Sequence, residues 1–296
     1  MYSATRLTLC AICSCCLATL ILAPSHAAAS ESPILLWPDT PGLNSPDGLG
    51  RQVEKRGKLN LMDVTTPHMI PYLVADAASP APAVILCPGG SYKRLVISVH
   101  HPIAEFLNQH GIHAFLLNYR CPSDKNGEAE PDIQRAMRMV RARVKEWNID
   151  PNQIGILGTS AGGNLGVRGS IRFGIETYPA NDPIDQISAK PDFTILLYPA
   201  FLANKDGVVN DWMKIPDDIS PTIIFTAKDD KNFYADSLAY EKLLKDSGKT
   251  VVAHYFEAGG HGFSLPGPEA VAAWPSLLLA WLEQNKVIAP DDSSKP

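Results

Sequence analysis

Past its sixteenth residue the chain has only two cysteines, Cys87 and Cys121, out of six in all. Two cysteines are not a disulfide framework. They could form one bridge or remain two separate thiols, and neither has a histidine at metal-ligand spacing. A basic cluster is also missing. The 26 Lys and Arg are outnumbered by 31 Asp and Glu, for a formal net charge of −5. That balance argues against a nucleic-acid partner. There is no glycine-rich phosphate loop and no dinucleotide fingerprint. Internal repeats and heptad runs are absent. No His/Asp/Glu cluster has zinc spacing, so neither a metal nor a cofactor is expected. Past the amino terminus no apolar run is long enough to span a bilayer, which needs roughly 20 residues.

The amino terminus itself reads as a secretory signal over residues 1–29. Arg6 is its only charged residue. An apolar run from Leu7 to Ala23 ends at Pro24, and Ser25 to Ala29 supply small residues for cleavage. A membrane anchor would need a longer run and a basic flank. A lipoprotein anchor would need a cysteine after a well-formed Leu-small-small pattern, and Cys10, Cys13, Cys15 and Cys16 have none. Loss of Arg6 with the signal moves the net charge from −5 to −6. The expected location is secreted or periplasmic. Residues 30–289 are expected to form one domain, large enough to bury its own core. Residues 290–296 are a polar tail expected to be disordered.

Strand and helix signals alternate along that domain. Ala83–Cys87 is a continuous apolar run, as in a strand buried on both faces. Pro102–His110 reads as a helix closed by Gly111, and Ile112–Tyr119 as the next buried strand. Asp132–Trp147 reads as an amphipathic helix, with Ile133, Ala136, Met137, Val140 and Val144 on one face. Its arginines 135, 138, 141 and 143 are expected to form a solvated face. Gln153–Leu157, Asp192–Tyr198, Thr222–Thr226 and Val251–Phe256 read as strands. Tyr234–Asp246 and Glu269–Asn285 read as helices. Residues 39–50 read as loop, and 62–74 as one or two edge strands interrupted by Pro67 and Pro71. The fold class is therefore α/β: a mostly parallel central sheet with helices on both faces.

Gly158-Thr159-Ser160-Ala161-Gly162 organises this pattern. It lies between a strand signal and a helix signal, the context in which G-x-S-x-G marks a nucleophile elbow. Taken alone it could be a plain glycine-rich turn. Two further turns follow strands: Lys228-Asp229-Asp230, and Gly259-Gly260-His261-Gly262-Phe263. Serine is a poor nucleophile until a base takes its proton. His261 would be that base, and a buried Asp would fix its tautomer. The chain order Ser, Asp, His suits an α/β sheet whose ligands collect at the strands' carboxyl ends. Asp230 is the preferred acid, with Asp229 second. Pro88-Gly89-Gly90-Ser91-Tyr92 follows another buried strand. The N–H of Gly90 or Ser91, with that of Ala161, would bind the oxyanion. His100 and His101 precede a helix and could line the cleft; a place at the surface or at a helix cap is the preferred expectation.

These residues resemble the α/β-hydrolase superfamily, and within it secreted bacterial acetyl xylan esterases and related feruloyl/acetyl carbohydrate esterases. The resemblance is carried by Leu36-Trp37-Pro38, residues 88–92, Asn118-Tyr119-Arg120, Asp132 with Arg135-Ala136, and Trp147 with Asp150-Pro151. It continues through residues 158–163, Lys190–Phe193 and residues 259–263. Ser91 stands where the family usually has a third glycine. Lys231–Tyr234 replaces a Pro-Val-Val-Pro segment, and Asn164 stands where a His is frequent. The resemblance implies an esterase that removes small acyl groups, acetyl first, from carbohydrate such as xylan, through an acyl-enzyme. A broad carboxylesterase or lipase is the nearest alternative, and a non-catalytic carbohydrate-binding relative a further one. The expected partner is an acylated carbohydrate or small ester. The segments 176–190 and 203–220 are too short for a large lid, so an open cleft is expected.

Overall fold

A computed structural model describes residues 32–75 and 77–290. The signal expected at 1–29 and nearly all of the expected tail lie outside the described residues. Eight strands form one sheet: β1 (Ile34–Leu35), β4 (His68–Tyr72), β5 (Ala81–Cys87), β6 (His113–Asn118), β7 (Ile149–Thr159), β8 (Phe193–Leu197), β9 (Thr222–Ala227) and β10 (Val251–Phe256). Across the sheet their order is β1-β4-β6-β5-β7-β8-β9-β10. From β6 to β10 every pairing is parallel, while β1 and β4 join antiparallel at one edge. Strands β2 (Arg51–Lys55) and β3 (Lys58–Met62) make a separate hairpin.

Helices cover both faces, as expected. They are α1 (His100–Gln109), α2 (Glu130–Ala142), α3 (Ala161–Ile171), α4 (Tyr234–Asp246) and α5 (Trp274–Gln284). Phe106 of α1 meets Trp274 of α5 on one face. On the other, Ile133 of α2 packs against α3 at Gly169, and Val167 of α3 shares a cluster with Tyr240 of α4. Every residue of β5, β6, β8 and β9 is buried, which explains their unbroken apolar runs.

The topology places the site. From β5 the chain moves to β6 on one side, then crosses to β7 on the other. This reversal makes a crevice at the carboxyl ends of β5 and β7. Cys87 and Gly158 are register partners there, so the loop after β5 and the elbow after β7 are neighbours. Ala227 and Phe256 are partners at the ends of β9 and β10 in the same way.

Four expectations need correction. The segment 269–285 is not one helix: a short 3-10 turn, Glu269–Val271, precedes α5. Pro275 cannot donate an N–H, so it sits in the first turn of a new helix. The helix expected over 132–147 starts at Glu130 and stops at Ala142. Residues 62–74 contain one sheet strand, β4, and it is not the edge. β1 pairs only with His68 and Met69, which leaves Pro71 unpaired on that side.

The arginines of α2 are not a solvated face. Arg135 is buried and binds Asp182 at 2.5 Å and Asp185 at 2.8 Å. Arg138 donates to Ile187 O, and Arg141 to Ser188 O and Asp192. Segment 182–192 lies over the helix and supplies oxygens that sequence periodicity cannot reveal. Cys87 and Cys121 are both buried and free.

Candidate active site

Ser160 caps α3 with φ 53° and ψ −120°. A non-glycine residue in that region is strained, and the elbow holds it there. The flanking glycines explain how. A Cβ on Gly162 would lie 1.9 Å from Cys87 O, and one on Gly158 2.3 Å from Gly162 O. Only glycine lets strand, turn and neighbouring strand approach so closely.

The structure brings the three expected side chains together. Ser160 Oγ is 2.7 Å from His261 Nε2. His261 Nδ1 is 2.6 Å from Asp230 Oδ2. A carboxylate at Nδ1 holds the proton on that nitrogen, which leaves Nε2 as the acceptor facing the serine hydroxyl. Asp230 Oδ1 accepts the N–H groups of Asn232 and Phe233, both at 3.2 Å. So Lys231–Tyr234, the unusual segment, turns back to solvate the acid. Burial pushes the Asp230 carboxyl up, but bonding and attraction to His261 and the two N–H groups bring it below the usual range. Asp229 has a different place: it accepts Gly260 N–H at 2.7 Å and Gly259 N–H at 3.3 Å, tethering the histidine loop. Tyr198 and Phe233 flank the imidazole at 5.0 and 4.9 Å.

The loop after β5 faces the elbow. Gly89 donates its N–H to Thr159 Oγ1, so it has none to offer. Among the described residues the N–H groups of Gly90, Ser91 and Ala161 donate to no acceptor. Gly90 has φ +135° and Ser91 φ 59°. A Cβ on Gly90 would collide with Arg94 O at 2.0 Å, so the second glycine of the loop is obligatory. Ser91 replaces the third glycine at the cost of a positive φ, and its N–H remains. The other departure, Asn164, is fully buried. It accepts from Tyr92 OH at 2.9 Å and donates to Phe201 O at 2.9 Å, joining the walls behind the elbow.

His100 corrects the expectation of a surface histidine: it is fully buried and lines the site cavity. His101 is half-buried, with its ring bonded to Tyr72 OH. His100 belongs to a closed circuit. Gly89 N–H donates to Thr159 Oγ1 at 3.0 Å, and Thr159 Oγ1 lies 3.2 Å from His100 Nε2. His100 Nδ1 lies 3.1 Å from Val96 O, and Val96 N–H returns to Gly89 O at 2.9 Å. Only Nδ1–H can donate to a carbonyl, so Nε2 accepts from the threonine. The circuit clamps the loop that carries Gly90. Its signal in the sequence is the His just before a helix after a Pro-Gly-Gly turn, but only the fold shows that it points inward.

The cavity over Ser160 measures about 230 Å³. A larger hollow of about 670 Å³, touching Ala81, Asp150 and Val287, lies at the other ends of the strands, away from the serine. The site cavity is lined in part by Lys58 from the β2–β3 hairpin. The hairpin went unread in the sequence, although Arg56-Gly57 is a turn signal between two alternating runs.

Among known proteins, the family model BD-FAE matches residues 70–174. The structure superposes with an acetyl ester-xyloside bifunctional hydrolase from Caldicellulosiruptor lactoaceticus at a TM-score of 0.70, with 29% identity, over 87% of this chain and 97% of that one. This chain has the α/β-hydrolase fold. An acetylxylan esterase of Xylanibacter ruminicola is 28% identical over 72% of this chain and 47% of its own length. Endo-1,4-beta-xylanase B of Butyrivibrio fibrisolvens is 27% identical over 70% and 36%. The chain thus spans about half or less of the length of these curated relatives. Esterase 2 of Thermogutta terrifontis, phosphorylated by paraoxon, matches at a TM-score of 0.66 with 25% identity, over 78% of this chain and 93% of that one.

Proposed function

We propose that this α/β-hydrolase is a serine esterase that removes small acyl groups, acetyl foremost, from carbohydrate such as xylan. The observation that carries the reading is the Ser160–His261–Asp230 relay, at 2.7 and 2.6 Å. His261 Nε2 takes the hydroxyl proton as Ser160 Oγ attacks the ester carbonyl. Asp230 stabilises the imidazolium that results. Gly90 or Ser91 N–H, with Ala161 N–H, receives the oxyanion. Losing one such donor costs about 3–4 kcal/mol of transition-state stabilisation. His261 then gives its proton to the leaving sugar oxygen, an acyl-enzyme remains, and water attacks it by the same route. No step calls on a metal or a cofactor.

The cavity of about 230 Å³ is smaller than the roughly 300–1,000 Å³ of drug-sized ligand pockets, which suits a small acyl group. The carbohydrate part of the reading is supported by the acetylxylan esterase and acetyl ester-xyloside hydrolase relatives. A broad carboxylesterase is the second reading, favoured by 34% identity over 95 residues to a probable carboxylic ester hydrolase of Mycobacterium tuberculosis. In the proposal, residues 1–29 are a secretory signal, 30–289 the catalytic domain and 290–296 a tail. The enzyme then works outside the cytoplasm, secreted or periplasmic. Among the described residues no helix is long and apolar enough to cross a membrane.

Acetate release from acetylated xylan, by the wild type and by Ser160→Ala, is the test. A fall of roughly 10⁴–10⁶-fold in the variant is expected. Cleavage of p-nitrophenyl acetate with xylan left intact would keep the serine and favour the second reading. A folded wild type that turns over neither ester would defeat both.

A further inference from the structure

The lining of the Ser160 cavity includes two cations, Lys58 and Arg94, and no carboxylate. They stand beside different loops of the site. Lys58 Nζ lies beside the histidine loop: a Cβ on Gly262 would be 3.8 Å from it. Arg94 lies beside the oxyanion loop: a Cβ on Gly90 would be 3.2 Å from Arg94 Cγ. Asn60 of β3 ties the two together. It accepts from Arg94 Nε at 3.0 Å and donates to Lys58 O at 2.6 Å. The hairpin that carries Lys58 is docked in turn. Leu59 N–H donates to Ser98 Oγ at 3.1 Å, and Leu61 and Leu95 exchange backbone bonds at 2.8 Å.

Four inward-facing arginines elsewhere meet carboxylates. Arg120 pairs with Asp132, Arg135 with Asp182 and Asp185, and Arg168 and Arg172 with Glu130. Lys58 and Arg94 meet none among the described residues, and the Arg94 side chain has two NH₂ groups beyond its Nε without a partner there. The chain as a whole is acidic, at −5. A positive rim at the Ser160 cleft of an acidic protein concentrates anions where the chemistry occurs.

We propose that Lys58 and Arg94 form a carboxylate-binding subsite at the mouth of the Ser160 cavity, and that the preferred ester carries a free acid group near the scissile bond. The proposal rests on ester hydrolysis at Ser160. The guanidinium offers a planar fork to a carboxylate, and the ammonium offers a point charge. The carboxylate has two chemical sources: a uronic acid on the sugar chain, or the free end of a dicarboxylic acyl group.

Three matched xylo-oligosaccharide esters separate them: an acetylated unbranched chain as the neutral reference, the same ester with a uronic-acid branch, and a succinylated unbranched chain. The reading is the ratio of kcat/KM for acidic over neutral ester. The wild type should favour one acidic ester by about tenfold, the worth of one charge-assisted contact at a partly exposed site. The ratio should fall toward one in Lys58→Gln with Arg94→Gln. It should persist in Lys93→Gln, which changes an exposed neighbour outside the cavity lining. Sodium chloride at about 0.5 M should shrink it, since salt screens rim charges. A wild-type ratio near one for both sources, or a ratio untouched by the double substitution, overturns the subsite. Calorimetric binding of the same esters to Ser160→Ala gives a second reading that needs no turnover. If the wild type hydrolyses no ester, the esterase reading fails, and binding still decides the subsite. Tighter binding of an acidic ester, lost on the double substitution, supports it; equal binding overturns it.

Discussion

Two buried carboxylates in this molecule have nearly the same surroundings and opposite tasks. Asp230 and Asp132 are 1% and 0% exposed at the side chain. Each also accepts backbone N–H: Asp230 from Asn232 and Phe233, Asp132 from Arg120. Each has one cationic or cation-forming partner that is about a quarter exposed, His261 at 27% and Arg120 at 25%. Exposure therefore does not distinguish them; the partner's chemistry does. Arg120 grips Asp132 through Nε at 2.9 Å and Nη2 at 2.7 Å, and a guanidinium keeps its protons. Trp37 Nε1–H adds a third tie at 2.9 Å, so the pair pins the start of the domain to α2. His261 can gain and give a proton, and its second nitrogen faces a hydroxyl. One pair is a strut and the other a relay.

Matched amide substitutions test this most strongly. Asp230→Asn should lower kcat by about 10⁴, because the imidazole loses the partner that fixes its tautomer. Its urea midpoint should move little. Asp132→Asn should leave kcat per folded molecule near wild type and cost roughly 2–3 kcal/mol of stability. That figure is set below the usual loss for a broken buried pair, because Arg120 keeps some contact with water. Equal losses of activity per folded molecule in the two variants would abolish the distinction.

How far each pair was legible in the sequence follows from its geometry. The Ser160–His261–Asp230 contacts use one residue from each of three turns after strands, so motif and chain order pointed to the three side chains that the fold brings together. The family-like pieces Leu36-Trp37-Pro38, Arg120, Asp132 and Arg135 were visible too, but their contacts were not. Arg135 Nε donates to Leu36 O across 99 positions of sequence, and Asp182 and Asp185 come from a loop with no periodic signal. A helix wheel sees only its own face, so it read these arginines as solvated. His100 failed for the same reason. Its partner Thr159 is 59 positions away, and only the β5-to-β7 register brings them together. The β2–β3 hairpin was missed because both strands are short, β2 is almost wholly exposed, and β3 buries only Asn60 and Leu61, too short a run to mark a strand.

His100 gives a third case, a titratable group buried with neutral partners only. Burial lowers its pKa to about 4, against the raising effect of the bond to Val96 O, with a small further lowering from His101. The unfolded histidine titrates near 6.5. Between those values the unfolded chain binds more protons than the folded one, so stability is complete above about pH 6.5 and falls as pH drops toward 4. The span corresponds to about 3 kcal/mol. Urea unfolding at pH 7 and pH 4.5 should therefore show a smaller difference in His100→Gln than in the wild type. Equal differences would mean that the ring is protonated in place and that the clamp on the oxyanion loop tolerates its charge.

The smallest effect is expected where a buried group has no ionic partner at all. Cys87 and Cys121 are free and buried, and burial pushes both thiols up, Cys121 to about 12. The thiolate is the reactive form, so its population at neutral pH is negligible. Cys121 Sγ lies 3.6 Å from Tyr92 O, behind the oxyanion loop. Iodoacetamide at pH 7.5 should then label neither residue in the native protein and label both after unfolding in urea, with native activity unchanged throughout. Native labelling of Cys121 alone would show that the segment around Tyr92 opens, and the rigidity assigned to the loop beside Ser160 would have to be given up. A buried carboxylate needs a partner and takes its role from that partner; a buried thiol needs none, and stays silent as long as the walls around it stay closed.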